Sequence, residues 1–200
     1  MILPIVAYGD PVLRKVGEKV TKDYPALDEL IKNMFETMYA SGGVGIAAPQ
    51  IGKALNLFVV DTKGFVSDDE EEEEEDDEFT PEQRKELENF RRVFINAEII
   101  EEKGEDWAFN EGCLSIPKIR EDVMRKPKVH IRYFDEHFKQ HEETFEGLAA
   151  RVVQHEYDHI KGKLFTDRIS PLRRRLLQGK LNDIAKGKVQ VNYKMRFPNK

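Results

Sequence analysis

The chain has 200 residues and a mass of 23.3 kDa, a length typical of one domain. Its net charge of −6 is unevenly distributed, because 68–78 is an uninterrupted run of acidic residues. Without that run the rest of the chain would be mildly basic. A hydrophobic fraction of 40% is enough for a folded core, so global disorder is excluded, although the acidic run cannot form a packed element.

Cysteine usage and hydropathy indicate the compartment. Cys113 is the only cysteine, so an intramolecular disulfide is excluded and a reducing compartment is favoured. The apolar N-terminus is interrupted by Pro4 and Asp10 and lacks a basic leader. No apolar run approaches the roughly 20 residues that a membrane span requires. The sequence therefore predicts a cytoplasmic protein without a membrane segment.

The first predicted element is a helix over about 25–40, where apolar residues recur at helical spacing. A glycine-rich stretch at 42–52 follows, and the apolar, β-branched residues 55–60 are typical of a buried strand. We interpret residues from Gly64 to about Arg92 as an acidic surface insertion between two strands.

That insertion is predicted to end in a short charged helix over about 81–91. Thr80 supplies an N-cap side chain and Pro81 suits the first helical position. Residues 93–100 then return to a strand pattern.

The C-terminal half combines strand and helix patterns. Residues 128–146 predict a hairpin, and 147–161 a helix that ends before Gly162. Residues 171–197 predict a helix followed by a strand in which every second residue is apolar. The predicted apolar side of this helix comprises Leu172, Leu176, Leu177, Leu181 and Ile184. Strands grouped between a few helices predict a single α+β domain of mixed, mainly antiparallel strands around the 147–161 helix.

The residues most indicative of chemistry are His155, Glu156 and His159, which form an HExxH pattern in this helix. Histidines four residues apart lie on one helical face and can bind one metal ion, with the glutamate beside them as a general base. Leu148 and Val152 continue the same face, so the histidines are predicted to point into the core. The alternatives are an ordinary surface helix and a pair of hydrogen-bonded core histidines.

Cys113 is the candidate third ligand, because no histidine follows His159. A thiolate with two imidazoles is suited to Fe²⁺ as well as Zn²⁺. One alternative is an ordinary buried cysteine. Another is a nucleophile with a histidine base, which would leave the histidine pair and Glu156 without a role.

Three separated motifs occur in a fixed order: Gly43-Val44-Gly45-Ile46-Ala47-Ala48-Pro49-Gln50, Glu111-Gly112-Cys113-Leu114-Ser115 and Gln154-His155-Glu156-Tyr157-Asp158-His159. Together they resemble the signature of the peptide deformylase family, and the similarity extends over about residues 4–172. The metal ligands that this resemblance implies are Cys113, His155 and His159. It also implies Glu156 as the acid/base, with Gln50 and the Leu114 N–H binding the formyl oxygen.

The resemblance implies a metal-dependent hydrolase that removes the formyl group from the N-terminal formyl-methionine of new polypeptides. One divalent ion per chain is expected, Fe²⁺ first, with Zn²⁺, Ni²⁺ or Co²⁺ as alternatives. The methionine pocket is predicted to contain Val44, Phe94, Leu148 and Val152. Gly45 and Gly112 are predicted to offer main-chain groups to the peptide.

Two other functions are compatible with parts of the sequence. An HExxH metallopeptidase would use the same helix to cleave peptide bonds. A structural metal or interaction domain would need a fourth protein ligand, which the sequence does not supply.

The basic C-terminal region, which begins at Arg173-Arg174-Arg175, is either a solvated helix face or a surface that docks on the ribosome, as the resemblance implies. The source is expected to be bacterial, with an organelle as the alternative.

Overall fold

The computed structural model describes residues 1–66 and 79–198. The helices are α1 (Leu27–Ala40), α2 (Pro81–Asn89), α3 (Gly147–Ile160) and α4 (Pro171–Ala185). The strands are β1 (Ile5–Val6), β2 (Gly45–Ala47), β3 (Leu57–Asp61), β4 (Arg91–Lys103), β5 (Trp107–Cys113), β6 (Ile116–Arg125), β7 (Lys128–Phe134), β8 (Gln140–Glu146) and β9 (Met195–Arg196). The acidic run 68–78 lies outside the described residues.

The main sheet has the order β2-β3-β4-β7-β8, and every neighbouring pair in it is antiparallel. Strands β5 and β6 form a separate antiparallel hairpin, whereas β1 and β9 pair in parallel. The predicted α+β class with mainly antiparallel strands is therefore confirmed.

The main sheet lies between two helices because its strands alternate their apolar residues. Leu57 and Val59 of β3 belong to the cluster that contains α1. Phe58 and Val60 belong to the cluster that contains Val153 of α3. This alternation is the two-residue period of a strand that is buried on both faces.

Local signals account well for the helix ends. Thr80 accepts a hydrogen bond from the N–H of Gln83, and the Gln83 side chain accepts one from the N–H of Thr80, so α2 begins with a capping box. Ser170 caps α4 by accepting a hydrogen bond from the N–H of Arg173. Gly162, just beyond α3, has a φ of +69°, a conformation that favours glycine.

The predicted apolar side of α4 is partly wrong. Leu177, Leu181 and Ile184 pack in a third core cluster, together with residues of β6. Leu172 and Leu176 are 69% and 66% exposed. The helix therefore contacts the protein along a narrower stripe, nearer its C-terminal end, than the sequence pattern indicated.

The predicted C-terminal strand is much shorter than expected. The tail from 189 to 197 alternates half-buried and exposed residues as predicted, but only Met195–Arg196 forms a ladder. That ladder is parallel to β1 at the other end of the chain. Hydropathy alone gave the correct face but could not reveal which partner strand is available. Among the described residues, no helix combines the length and apolar character needed to cross a membrane.

Candidate metal centre

The three predicted ligands converge although they are far apart in the chain. His155 and His159 lie one turn apart on α3, with ring centroids 5.2 Å from each other. Cys113 ends β5, and its Sγ is 3.3 Å from Nε2 of His159. One potential ligand atom from each residue lies within 4.8 Å of the others, so the three side chains could hold one metal ion.

The environment of these side chains fits a metal ion. Burial lowers the pKa of His159 to about 3, so its ring is neutral, as a ligand must be. Its Nδ1 and one carboxylate oxygen of Glu156 are buried without a hydrogen-bond partner among the described residues. One thiolate and two imidazoles match the soft and intermediate donors that zinc and ferrous iron accept.

Glu156 lies beside the predicted ligands in a tightly enclosed position. Burial raises its pKa to about 7, which suits a group that both accepts and returns a proton near neutral pH. A Cβ atom at Gly45 would lie 2.6 Å from the Glu156 carboxylate, closer than atoms can approach. The glycine of the first motif therefore makes room for the glutamate of the third.

The orientation of the Gln50 amide is fixed by the backbone. Its oxygen accepts a hydrogen bond of 2.8 Å from the N–H of Ala47. Its nitrogen therefore points the other way, towards Sγ of Cys113 at 3.5 Å. Leu114 follows Cys113 in the turn between β5 and β6. A side-chain N–H donor and this turn thus flank the ligand cluster.

Glu111 supports the cluster in a way that sequence reasoning did not anticipate. Its carboxylate is 2.9 Å from Nδ1 of His155, which leaves Nε2 as the ring nitrogen available to a metal. Burial disfavours the charged form of His155, but hydrogen bonds with Cys113 and Glu111 raise its pKa well above the usual value, so a metal at Nε2 would have to displace a proton. Burial likewise disfavours the Glu111 carboxylate, yet hydrogen bonds with His155 and Arg125 lower the pKa of Glu111 overall.

Glu111 also belongs to a buried ionic network. Arg125 donates to Glu111 from Nε at 2.6 Å and from Nη2 at 2.9 Å, and its Nη1 donates to Asp158 at 2.7 Å. Arg151 donates a further bond of 3.0 Å to Glu111. Asp158 in turn accepts two bonds from Arg168. The carboxylate behind the His155 ring is therefore held by two arginines.

A cavity of about 790 Å³ opens beside the ligand cluster. Of the predicted pocket residues, Val44 and Val152 line it, and so do Gly45 and Gly112. The cavity is also lined by residues that the sequence did not suggest, including Phe109, Arg120 and the tail residues Gln190, Val191, Asn192 and Tyr193.

Phe94 and Leu148 are not among the residues that line this cavity. Phe94 is fully buried in the sheet core, with its ring centroid 4.5 Å from that of Phe58 and 4.3 Å from that of Tyr133. Leu148 is half-buried in the first turn of α3, two turns before His155. The shared helical face therefore did not bring Leu148 to the cavity, because the cavity borders only the later turns.

Comparison with known proteins gives one consistent family. The family model described as polypeptide deformylase matches residues 2–175. The peptide deformylase of Christiangramia forsetii is 57% identical over 199 residues, covering 100% of this chain and 97% of that protein. The peptide deformylase of Flavobacterium johnsoniae is 57% identical over 197 residues, covering 98% of this chain and 96% of that protein.

Solved structures agree with this result. The crystal structure of a peptide deformylase from Legionella pneumophila has a TM-score of 0.75 and 37% identity, covering 94% of this chain and 98% of that one. A Plasmodium falciparum peptide deformylase in complex with an inhibitor has a TM-score of 0.72 and 31% identity, and the match covers 91% of this chain and 99% of that one. The matches do not favour the metallopeptidase alternative. The chain belongs to the peptide deformylase family, metal-dependent hydrolases that remove the formyl group from the N-terminal formyl-methionine of new polypeptides.

Proposed function

We propose that Cys113, His155 and His159 hold one divalent metal ion, and that α3 is the metal-binding helix of this deformylase. The observation that carries this assignment is the convergence of three ligand atoms within 4.8 Å of one another. Three protein ligands leave one coordination position for solvent or substrate, as in catalytic rather than structural sites. When bound, the ion supplies a Lewis acid that activates water for attack on an amide carbonyl.

Glu156 acts as the proton carrier in this proposal. It accepts the proton of the attacking water and returns it to the amine that leaves, so formate and a free N-terminus are released. Its burial and its raised pKa of about 7 keep both protonation states accessible near neutral pH. Gly45 supports this role because it lacks the side chain that would displace the carboxylate.

Gln50 and Leu114 stabilise the charge that develops on the formyl oxygen. The Gln50 Nε2 group points towards Cys113 because the Ala47 N–H holds the oxygen at the other end of the amide. The backbone N–H of Leu114 is the second donor. Removal of one such donor typically lowers the rate by on the order of 10²-fold or more.

The substrate side chain and backbone occupy the adjoining cavity. Val44 and Val152 contribute to the apolar wall for the methionine side chain, while Gly45 and Gly112 offer main-chain groups to the peptide. Phe94 and Leu148 are omitted from the pocket, because neither lines the cavity.

Formate release from a formyl-Met peptide, measured on anaerobically purified protein with its metal content, tests this function. Glu156→Gln should lose turnover by about 10²- to 10⁴-fold and keep its metal. Cys113→Ser should lose metal as well, since an alcohol is a much weaker ligand than a thiolate. Glu98→Gln, on an exposed side chain, is the control. Full turnover in Glu156→Gln would refute the assignment.

The identity of the ion follows from the same preparation. We propose Fe²⁺, with Zn²⁺, Ni²⁺ and Co²⁺ as alternatives, because a thiolate with two imidazoles accepts all four. Protein purified without oxygen should contain about one equivalent of iron, and added zinc should change turnover. An iron-free preparation with full activity would exclude this proposal.

The remaining proposals concern the setting of the enzyme. We propose that residues 1–200 form one domain and that the protein works in the bacterial cytoplasm, where formylated chains are made.

The basic face of α4 is proposed to dock on the ribosome, because arginine and lysine attract RNA phosphates. Co-sedimentation with ribosomes should fall when Arg174 and Arg175 are replaced by glutamate, and unchanged binding would exclude this surface.

A further inference from the structure

The turn that joins β5 to β6 carries two functional groups of the proposed centre. Cys113 precedes it and pairs with Ile116 across it, so Leu114 and Ser115 are its two central residues. A two-residue turn can change type if its central peptide rotates. The carbonyl of that central peptide belongs to Leu114.

Both carbonyls of the turn are held from outside the hairpin. The hydroxyl of Tyr193 donates a hydrogen bond of 2.8 Å to the Leu114 oxygen. The N–H of Tyr8 donates one of 2.8 Å to the Ser115 oxygen. A rotation of the central peptide would break the bond from Tyr193.

The two donors belong to paired segments from opposite ends of the chain. Ile5 donates to the Lys194 oxygen at 2.9 Å, and Ala7 donates to the Arg196 oxygen at 2.8 Å. This parallel pairing of β1 with β9 lies immediately next to Tyr8 and Tyr193. Each donor is therefore anchored by the strand beside it.

Tyr193 also lies in the active cavity. It lines the cavity together with Leu114, and it is half-buried against the core cluster that contains α1. Its ring is thereby held by packing, so its hydroxyl has a fixed position from which to bind the turn.

We propose that Tyr193 is a positioning residue, whose hydroxyl fixes the 113–116 turn and so aligns the Leu114 N–H and the Cys113 thiol. The effect on turnover rests on the proposed function, whereas the effect on the turn itself does not. The C-terminal tail is then a working part of the active site, although it follows the last of the three sequence motifs.

Tyr193→Phe tests this role because it removes one oxygen and keeps the ring. Tyr39→Phe is the matched control, since its hydroxyl bonds to Asp61 at 2.6 Å and lies outside the cavity. Hydrogen exchange of the amides at 113–116 reports the order of the turn. Formate release per bound metal, measured so that kcat and KM are obtained separately, reports whether the Leu114 N–H and the Cys113 thiol are aligned.

In Tyr193→Phe the turn amides should exchange roughly 10-fold faster, the value expected for one net hydrogen bond. The kcat per bound metal should fall by about 10-fold relative to the unmodified protein, whereas KM should stay within about twofold of its original value. The Tm of Tyr193→Phe should equal that of Tyr39→Phe. Tyr39→Phe should change neither exchange at 113–116 nor kcat.

Two results would overturn the proposal. One is unchanged exchange at 113–116 in Tyr193→Phe. The other is a loss of kcat that merely follows a loss of bound metal or a fall in Tm. If the unmodified protein released no formate, the proposed function would fail, but the exchange comparison would still decide whether Tyr193 holds the turn.

Discussion

Replacement of Glu111 by glutamine would remove the negative charge at the centre of the buried network. Glu111 is 4% exposed, and its carboxylate contacts Arg125, Arg151 and His155. Glutamine keeps one acceptor oxygen, but its NH2 group would face arginine N–H groups, so donors would meet donors. Arg125, itself 3% exposed, would keep only Asp158 as a counter-charge.

The expected loss of stability follows from that geometry. Removing one partner of a buried ion pair typically destabilises a protein by about 3–5 kcal/mol. The lower value is expected here because Asp158 still faces Arg125. For a protein of this length, about 3 kcal/mol lowers Tm by roughly 6–12 °C. Loss of the carboxylate behind His155, a proposed metal ligand, should also weaken metal binding by about 10- to 100-fold.

Two measurements check Glu111→Gln. Urea unfolding of chelator-treated protein gives the free energy of unfolding, and competition with a metal indicator gives the affinity. Glu101→Gln is the control, because Glu101 pairs with Lys103 at 2.8 Å and the two side chains are 50% and 64% exposed. That exposed pair should contribute less than about 1 kcal/mol. If both variants lost equal stability and neither lost metal affinity, the reasoning about the buried network would be refuted.

Three further predictions concern core packing, charge and the amide donor. Leu181→Ala should lower the free energy of unfolding by about 2–5 kcal/mol, whereas Leu172→Ala, at a 69% exposed position, should change it by less than about 0.5 kcal/mol in the same urea assay. Burial alone would raise the pKa of Asp167, but hydrogen bonds from Arg14 and a backbone N–H lower it, so its stabilising effect is present above about pH 4 and lost as pH falls. Asp167→Asn should therefore be less stable than the unmodified protein at pH 7, and urea titrations should show that difference shrinking below about pH 4. Gln50→Leu should lower kcat by on the order of 10²-fold without loss of metal, and an unchanged kcat would remove Gln50 from the mechanism.

Local patterns predicted what depends on neighbours in the chain. The spacing of His155 and His159 is a property of any helix, so their shared face followed from the sequence. Thr80 capped its helix because a cap contacts only residues within one turn. The 128–146 hairpin was predicted because Val129, Ile131 and Tyr133 alternate with polar residues, a pattern that belongs to the strand itself.

One charged hairpin and the contacts between distant segments had no comparable signal. The hairpin of β5 and β6 was missed because many of its residues are charged and its turn lacks glycine. The sequence placed Glu111 in the second motif but did not predict its ionic contacts, because Arg125 and Arg151 belong to other elements of the fold. Tyr193 looked like one more apolar position in a strand, because its hydrogen bond joins residues 79 apart in the chain.

The absence of a side chain at Gly45 has a practical consequence. One added carbon would meet the Glu156 carboxylate at 2.6 Å, with both groups enclosed by the fold. An alanine there would displace the proposed proton carrier while leaving every chemically reactive side chain intact. If Glu156 carries the proton, Gly45→Ala should bind a formylated peptide without hydrolysing it, and the variant is then suited to trapping that complex.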